Sequence, residues 1–350
     1  MTDKTHAHTV QGLTPKAELG VVLTHEHLFM DGSSCFELDV SDDAEEFANL
    51  PLTPEIYDRM LYSSCSNHDN LNLNDPEIVI SEVKDFINLG GRSIVDVTSE
   101  GIGRNPQGLR TLSEKSGVPI VMGSGFYCEY SCDPWVLTAT IDHLTQRIVG
   151  DLTQGIDGIR SGIIGEIGIN GQERGTLNYV GEMTAMEERC LRAACRASNE
   201  TGAPLSIHQP NRASAVPAIL SVLESENVSP EKVILCHMSS IWDFSMHLYA
   251  LERGYRIGYD NFGMMMKNSR MRYLDDSQRM DWLVEVFRKG HGDQVLVSHD
   301  IWCKAQWKHF GGGGYGHILR TIIPALYEKG LTESDIDLLL VQNPAELIAY

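Results

Sequence analysis

From residue 93 onward, short apolar runs alternate with amphipathic stretches, and this rhythm constrains the fold more than any other feature. The apolar runs predict seven strands, at residues 93–97, 119–123, 162–167, 204–208, 232–237, 255–260 and 294–300. Stretches with helical spacing follow them, at residues 106–116, 133–154, 182–201, 211–226, 240–252, 276–289 and 315–329, and a last helix is predicted at 332–348. Buried strands that alternate with helices are typical of a parallel sheet in the α/β class.

An earlier apolar run, at residues 20–27, supplies an eighth strand. Eight strand–helix units in one chain predict a (β/α)8 TIM barrel and a single domain over residues 1–350. An open doubly wound sheet is the alternative, and it is disfavoured because no glycine-rich phosphate turn follows the first strand. Residues 31–75 have no regular pattern, and we expect them to form a lid-like insertion before a helix that begins at Pro76 and stops at Gly90-Gly91.

Composition excludes several classes of partner. The chain has 28 lysines and arginines against 48 acidic residues, a formal charge of -20, which argues against nucleic acid and anionic membranes. The N-terminus has no apolar secretory segment, and no apolar run is long enough to cross a bilayer. The 8 cysteines include no CxxC pair, so we expect reduced thiols and a cytoplasmic protein. Residues 9–17 predict a short hairpin, and His6-Ala7-His8 is interpreted as a terminal tail.

Ionisable residues fall at the carboxyl ends of the predicted strands. His25 and His27 are spaced i, i+2, so they share one face of a strand while Glu26 points away. The later strands contribute four more side chains at the same end: Glu166, His208, His237 and Asp300. In a barrel the carboxyl ends of the strands surround one pocket, so these six residues are expected to converge.

Four imidazoles and two carboxylates suit two Zn²⁺-like ions, with one carboxylate placed to bridge them. Taken singly, each histidine fits a satisfied structural group, Glu166 a rim ion pair and Asp300 a helix N-cap. Their coincidence at one strand end favours the metal site, because unpaired buried charge there would be costly. Zn²⁺, Mn²⁺ and Co²⁺ all accept these ligands.

The same residues carry a family resemblance. Thr24-His25-Glu26-His27-Leu28, the strand ends at His208 and His237, Ser298-His299-Asp300 and the glycine-rich segment from Gly312 to Ile318 resemble the phosphotriesterase family of the amidohydrolase superfamily. The resemblance covers nearly the whole chain. It implies a distorted TIM barrel with two divalent metals, usually zinc, and it implies a homodimer because family members are often dimers.

The resemblance also implies a division of the ligands. His25, His27 and Asp300 bind the more buried metal, and His208 and His237 bind the exposed one. In many members a carboxylated lysine on strand 4 bridges the metals, whereas here Gly165 stands in its place and Glu166 follows. The segment resembles the branch that is bridged by a glutamate, so we assign Glu166 as the bridge. Because a shift of one residue changes the face of a strand, this assignment requires a bulge.

These ligands imply a hydrolase in which a metal-bridging hydroxide attacks the substrate and Asp300 accepts its proton and passes it to the leaving group. Tyr127 is interpreted either as a hydrogen-bond donor to the substrate carbonyl or as rim packing. Four further residues at the mouth are candidates for substrate binding, with surface ion pairs or loop packing as the alternatives: Arg212, Lys304, Tyr259 and Trp302.

The expected substrate is a small molecule: a carboxylic ester, a lactone or an N-acyl amide with an acidic group. Organophosphate triesters are the second expectation, and a metal-loaded binding protein with little turnover is the third. The loops that follow strands 7 and 8 set the choice among them, and the sequence does not give their shape.

Overall fold

The parallel barrel sheet predicted from the sequence is present in the computed structural model, which describes residues 5–176, 179–267 and 273–350. Eight parallel strands lie in the order β12-β11-β10-β9-β8-β7-β6-β3. Their bounds are β3 Val22–Glu26, β6 Ser93–Asp96, β7 Ile120–Ser124, β8 Ile163–Gly168, β9 Leu205–His208, β10 Val233–Leu235, β11 Arg256–Tyr259 and β12 Val295–Val297. Four further strands form two small antiparallel sheets: the hairpin of β1 His6–Thr9 with β2 Gly12–Pro15, and the pair of β4 Met30–Asp31 with β5 Asn72–Leu73.

The first and last barrel strands meet mainly through side chains. The Thr24 hydroxyl donates to the Val297 carbonyl at 3.1 Å, and the backbone N–H of His25 donates to the Ser298 hydroxyl at 3.0 Å. The backbone N–H of Asp300 then reaches the carbonyl of His25 at 3.3 Å. The seam between β3 and β12 therefore brings His25 and Asp300, which lie at opposite ends of the sequence, side by side.

Helices alternate with the strands. Their bounds are α1 Ala44–Asn49, α2 Tyr57–Met60, α3 Pro76–Asn88, α4 Pro106–Ser116, α5 Pro134–Thr138, α6 Ile141–Thr153, α7 Ala185–Thr201, α8 Ala215–Ser225, α9 Phe244–Leu251, α10 Asp276–Arg288, α11 Ile323–Glu328, α12 Glu333–Asp337 and α13 Asn343–Ile348. Local sequence explains several ends. The Asp75 carboxylate caps α3 with a proline at its first position, and Thr184 and Glu187 form a capping box on α7.

Four predicted segments differ from the structure. The helix expected at 133–154 is two helices, α5 and α6, which are separated by Ala139 and Thr140. The last two predicted helices each contain a single π turn, which begins the first of them at Ile318–Ile322 and interrupts the second at Leu338–Gln342. His6-Ala7-His8 is not a tail but part of β1, because its backbone pairs with β2.

The N-terminal hairpin closes the lower end of the barrel. Ala7 of β1 belongs to one buried apolar cluster with strand residues such as Val22 and Ile163, and with Leu347 and Ile348 of α13. The backbone N–H of Val10 also donates to the carbonyl of Ile120 at 2.9 Å. The site expected at the carboxyl ends of the strands is therefore separated from the N-terminal hairpin by the packed interior of the barrel.

Residues 31–75 pack over the loops at the carboxyl ends of the strands. Phe47, Leu52 and Met60 lie in one apolar cluster with Met264 and Met266 from the loop after β11, and with Cys303 and Ala305 from the loop after β12. This position is consistent with the lid-like role that the sequence predicts for residues 31–75, which stays a prediction. In the part of the chain that the structure describes, no helix combines the length and the apolar character needed to cross a membrane.

Candidate metal centre

The six predicted ligands converge at the carboxyl end of the barrel. His25, His27, Glu166, His237 and Asp300 are buried. His208 is the most open of the six, with 20% of its side chain exposed. The alternation along β3 directs both histidines to one place and Glu26 to the opposite face, as the i, i+2 spacing predicts.

Four side chains form the deeper group. Nε2 of His27 lies 3.3 Å from Oε1 of Glu166 and 3.5 Å from Oδ1 of Asp300. Nε2 of His25 lies 3.5 Å from Oε2 of Glu166 and 3.6 Å from Oδ1 of Asp300. Zinc bonds of about 2.0–2.2 Å in a tetrahedron place neighbouring ligand atoms about 3.3–3.6 Å apart, so the spacing of these atoms fits one ion.

His208 and His237 form the shallower group beside the same glutamate. Oε2 of Glu166 lies 3.2 Å from Nδ1 of His208 and 3.7 Å from Nε2 of His237. The two imidazoles approach each other to 2.9 Å between His237 Nε2 and His208 Nδ1. Because Glu166 faces both groups, its carboxylate stands where a bridge between two ions would stand.

An irregularity in β8 brings Glu166 to this position. The register between β8 and β9 shifts between Ile164 and Ile167, which is the bulge that the assignment of Glu166 requires. Gly165 has a φ of +118°, and a Cβ at this position would lie 2.1 Å from the carbonyl oxygen of Ser206. Only glycine fits there, so Gly165 is needed for the backbone conformation that precedes Glu166.

The charges of the site favour bound cations. Burial opposes the ionisation of Glu166, but attraction and hydrogen bonds from His208 and His237 outweigh it and hold the pKa of Glu166 well below its ordinary value. Burial likewise opposes protonation of His27, yet Asp300 and Glu166 raise its pKa to about 10. Burial lowers the pKa of His208. Two ionised carboxylates thus lie deep among imidazoles, a combination that divalent ions stabilise.

His25 gives the sharpest test of whether a metal fits. Its two ring nitrogens are both buried and neither has a hydrogen-bond partner among the residues that the structure describes. A buried imidazole without partners is costly, and Nε2 is directed at the oxygens of Glu166 and Asp300. A divalent ion at this point would satisfy it, so the donor set fits a resident metal.

Residues behind the ligands fix their orientation, and the sequence did not single them out for this role. Asp260, which directly follows β11, accepts hydrogen bonds from the backbone N–H of His237 at 2.9 Å and from its Nδ1 at 3.0 Å. The Thr98 hydroxyl meets Nδ1 of His27 at 2.9 Å. Such contacts set which ring nitrogen is free for the metal. The alternation of side chains along β11, which directs neighbouring residues to opposite faces, was the signal that could have identified Asp260.

Glu26 holds the loop that carries Asp300. Its Oε1 accepts hydrogen bonds from the Ser298 hydroxyl at 2.7 Å, from the backbone N–H of His299 at 2.9 Å and from Nδ1 of His299 at 2.7 Å. Its Oε2 accepts from the backbone N–H of Ile301 at 3.2 Å. The residue between the two metal-site histidines therefore anchors both neighbours of Asp300.

The proposed substrate residues have different positions. The Tyr127 hydroxyl lies 3.3 Å from Nδ1 of His208, at the shallower group. Tyr259 is a correction: its side chain is fully buried and its hydroxyl meets Nδ1 of His247 on α9 at 2.8 Å, so it faces the helix layer and does not line the pocket. Trp302 is half-buried, and its backbone N–H donates to the side chain of Gln306 at 2.9 Å.

Both candidate cations already have carboxylate partners. Nε of Arg212 lies 3.2 Å from Glu182, and the guanidinium also donates to the carbonyl of Asn170 at 2.9 Å. The Lys304 ammonium pairs with Asp69 from the 31–75 segment. About a third of the Arg212 side chain is exposed (34%) against 10% for Lys304, so Arg212 is the more accessible of the two.

Comparisons with known proteins identify the family of this site. The model of the phosphotriesterase family matches residues 5–348. The chain belongs to the phosphotriesterase family. A phosphotriesterase-related protein of Nematostella vectensis is 33% identical, with 98% of each chain covered. An N-acetyltaurine hydrolase of Dictyostelium discoideum is 31% identical over 97% of this chain and 96% of its own.

A solved structure agrees with this membership of the phosphotriesterase family. The resiniferatoxin-binding protein from Rhodobacter sphaeroides has a TM-score of 0.93 and 32% identity, covering 98% of this chain and 95% of its own. The family is one of divalent-metal enzymes that act on small molecules. Membership of this family and the cluster of histidines and carboxylates together show that the protein is a metal-dependent hydrolase with a TIM-barrel fold.

Proposed function

We propose that this protein is a binuclear hydrolase that cleaves a small N-acyl amide, with esters and lactones as related substrates. The placement of Glu166 between the two ligand groups carries the proposal, because a carboxylate in that place can be shared by two ions. N-acetyltaurine, named in the Dictyostelium relative, is an N-acyl amide with an acidic group, which favours the amide. Zinc is the proposed metal, with manganese and cobalt as alternatives.

Two ions held by these residues would polarise the acyl carbonyl and lower the pKa of the attacking water. The remaining work falls to side chains of this chain. Asp300 lies at the deeper group, where it accepts the proton of the water and passes it to the leaving group. Burial raises the pKa of Tyr127 well above its ordinary value, so its hydroxyl stays protonated and donates to the substrate carbonyl.

Arg212 is the proposed partner of the acidic group of the substrate. Its guanidinium is partly exposed and held by Glu182, so an anionic substrate would share or replace that pairing. Lys304 is the second candidate for this role. It ranks below Arg212 because its ammonium is more deeply buried and paired with Asp69. Trp302 is proposed to contact the rest of the substrate from the loop after β12.

Two other functions stand behind this one. Organophosphate triester hydrolysis is the second candidate, because paired ions also stabilise attack at phosphorus. A metal-loaded binding protein is the third, and the similarity to a protein named for binding resiniferatoxin is the observation that favours it. The preferred substrate separates a triesterase from the amidase, and the absence of turnover would identify the binding protein.

The test is an activity panel on the zinc-loaded protein. N-acetyltaurine, N-acetyl amino acids, 4-nitrophenyl acetate, a γ-lactone and paraoxon are incubated with the enzyme, with the chelator-treated enzyme and with the enzyme restored by Zn²⁺. We expect N-acyl amides to give the highest kcat/KM, activity to be lost with the chelator, and zinc to restore it. Tight binding of ligands without turnover of any of them would contradict the proposal.

A further inference from the structure

Asn261 contacts the carboxylate that the proposed mechanism uses. It follows Asp260 after β11 and is buried. Its Nδ2 donates to Oδ2 of Asp300 at 3.0 Å. Its Oδ1 accepts from the hydroxyls of Ser240 at 2.7 Å and Ser239 at 3.3 Å. The amide therefore links the loop after β10 to the catalytic loop after β12.

The chemistry of these groups fixes which end of the amide faces Asp300. An ionised carboxylate only accepts hydrogen bonds, so the atom opposite Oδ2 must be the NH₂ of the asparagine. The two serine hydroxyls supply donors to the other end. Both ends of the amide are thus matched to their neighbours, and a rotated side chain would place the Asn261 oxygen against the Asp300 oxygen.

The two oxygens of Asp300 consequently differ. Oδ1 lies toward His25 and His27, at 3.6 and 3.5 Å from their Nε2 atoms, whereas Oδ2 is held by Asn261. Nε2 of Gln306 also donates to the backbone carbonyl of Asp300 at 2.9 Å, which fixes the loop from the other side. The carboxylate is held in one orientation before any substrate arrives.

We infer that Asn261 is a positioning residue that makes Asp300 a proton donor to an amine leaving group. The inference rests on the proposed function and deepens it. A carboxamide does not take up a proton near neutral pH, so a proton on Asp300 has no acceptor on the side of Asn261. Nδ1 of His237 lies 3.7 Å from Oδ2, but it is engaged with Asp260 at 3.0 Å. On the side of Oδ1, the Nε2 atoms of His25 and His27 would be occupied as metal ligands, so beyond the described residues the substrate is the acceptor that remains.

The proton balance then closes on the substrate. The attacking water forms a bond from its oxygen to the acyl carbon and gives a proton to Asp300. The bond between the acyl carbon and nitrogen breaks, and the same proton moves from Asp300 to that nitrogen. The products are a carboxylic acid and an amine, and Asp300 is ionised again. An amine needs this proton in order to leave, whereas nitrophenolate leaves without one.

The test compares two substrates in matched variants. Asn261→Leu removes the amide at similar volume but leaves two serine hydroxyls without an acceptor. The triple variant Asn261→Leu, Ser239→Ala, Ser240→Ala removes the whole polar cluster, which is better tolerated in a buried place. We expect both variants to keep their zinc and to lose about 10- to 100-fold in kcat on N-acetyltaurine, but less than about threefold on 4-nitrophenyl acetate.

A second readout does not depend on turnover. In ¹⁵N-labelled, zinc-loaded protein, the side-chain NH₂ signal of Asn261 is assigned by its absence from the Asn261→Leu spectrum. We expect its protons to exchange slowly with solvent, and Asp300→Ala to accelerate that exchange. Rapid exchange in the wild-type protein would overturn the hydrogen bond on which the inference rests.

The outcomes separate the two proposals. Equal losses on the amide and the ester, or no loss on the amide, would overturn the role of Asn261 while the amidase stands. A wild-type enzyme that cleaves the ester and no N-acyl amide would contradict the proposed function and the amine leaving group together. In that case the NMR signal still decides whether Asn261 holds Asp300.

Discussion

The hydrogen bonds of Glu26 with Ser298, His299 and Ile301, here called the Glu26 clamp, give a prediction of how much stability a substitution removes. In Glu26→Gln the amide oxygen can keep the three hydrogen bonds that Oε1 accepts from Ser298 and His299. The amide NH₂ must then face the backbone N–H of Ile301, where Oε2 now accepts at 3.2 Å. One charge-assisted hydrogen bond is lost and two donors oppose each other in a buried place.

Losing the hydrogen bond costs about 1.5–3 kcal/mol, and leaving a buried donor without a partner costs about 1–3 kcal/mol more. We therefore expect the free energy of unfolding to fall by about 2.5–6 kcal/mol. For a chain of 350 residues, an unfolding entropy of about 2.1 cal/mol/K per residue converts this into a decrease in Tm of about 3–8 °C. Because Ile301 adjoins Asp300, kcat is expected to fall at least about tenfold as well.

The assay is differential scanning calorimetry of the zinc-loaded variant at a fixed scan rate, with kcat measured on the best substrate. Glu114→Gln, an exposed change on α4, is the matched control and should alter the free energy of unfolding by less than about 0.5 kcal/mol. A Tm of Glu26→Gln within 1 °C of the control (about the scatter of surface substitutions) and an unchanged kcat would refute the clamp.

Two further predictions concern other parts of the barrel. Gly165→Ala places a Cβ against the Ser206 carbonyl in a backbone conformation with positive φ, so we expect a loss of at least about 2 kcal/mol in stability and of most bound zinc, measured by urea unfolding and elemental analysis; full zinc content would contradict the role of the bulge. Burial lowers the pKa of His247 to about 4, so between its unfolded value near 6.5 and pH 4 the unfolded chain binds a proton that the folded chain does not. Stability contributed by neutral His247 should therefore be present above pH 6.5 and fall by about 3 kcal/mol toward pH 4, and His247→Gln should remove that difference in urea unfolding at the two pH values; identical pH dependence in the variant would show that His247 is not the group.

The arrangement of strands and the meeting of the six ligands could be predicted from the sequence, for a simple physical reason. Strands of a parallel barrel all end at one rim, so His25, His208 and Asp300 needed no knowledge of distance to be placed together. The π turns in the last two helices were missed. The N-terminal hairpin was predicted at residues 9–17, but His6-Ala7-His8, which lie in its first strand, were interpreted as a tail because no apolar run marks them as a strand.

The position of Glu166 shows where counting along a strand fails. A regular strand would have turned this side chain away from the pocket, and the shift appears only because Gly165 adopts a backbone conformation that other residues avoid. The opposite error concerns Tyr259. It was assigned to the pocket from its place at a strand end, yet alternation puts Tyr259 against α9 and Asp260 beside His237. The alternation of side chains along the strand would have distinguished Tyr259 from Asp260.

The partners of Glu26 and Asn261 lay beyond the reach of the sequence. Glu26 was expected to point away from the site, and it does, but its contacts arise where the first barrel strand meets the last across 272 residues of sequence. Asn261 was not singled out, because its role depends on hydrogen bonds with Ser239, Ser240 and Asp300, which belong to other segments. Such contacts come from the closure of the barrel, which local patterns do not encode.

The central claim is that Glu166 is shared by two metal ions, and anomalous diffraction from crystals of the zinc-loaded protein at the zinc edge tests it most directly. We expect two anomalous peaks in each chain, one beside His25, His27 and Asp300 and one beside His208 and His237, each within about 2.0–2.2 Å of an oxygen of Glu166. A single peak, or two peaks of which Glu166 contacts only one, would contradict the claim.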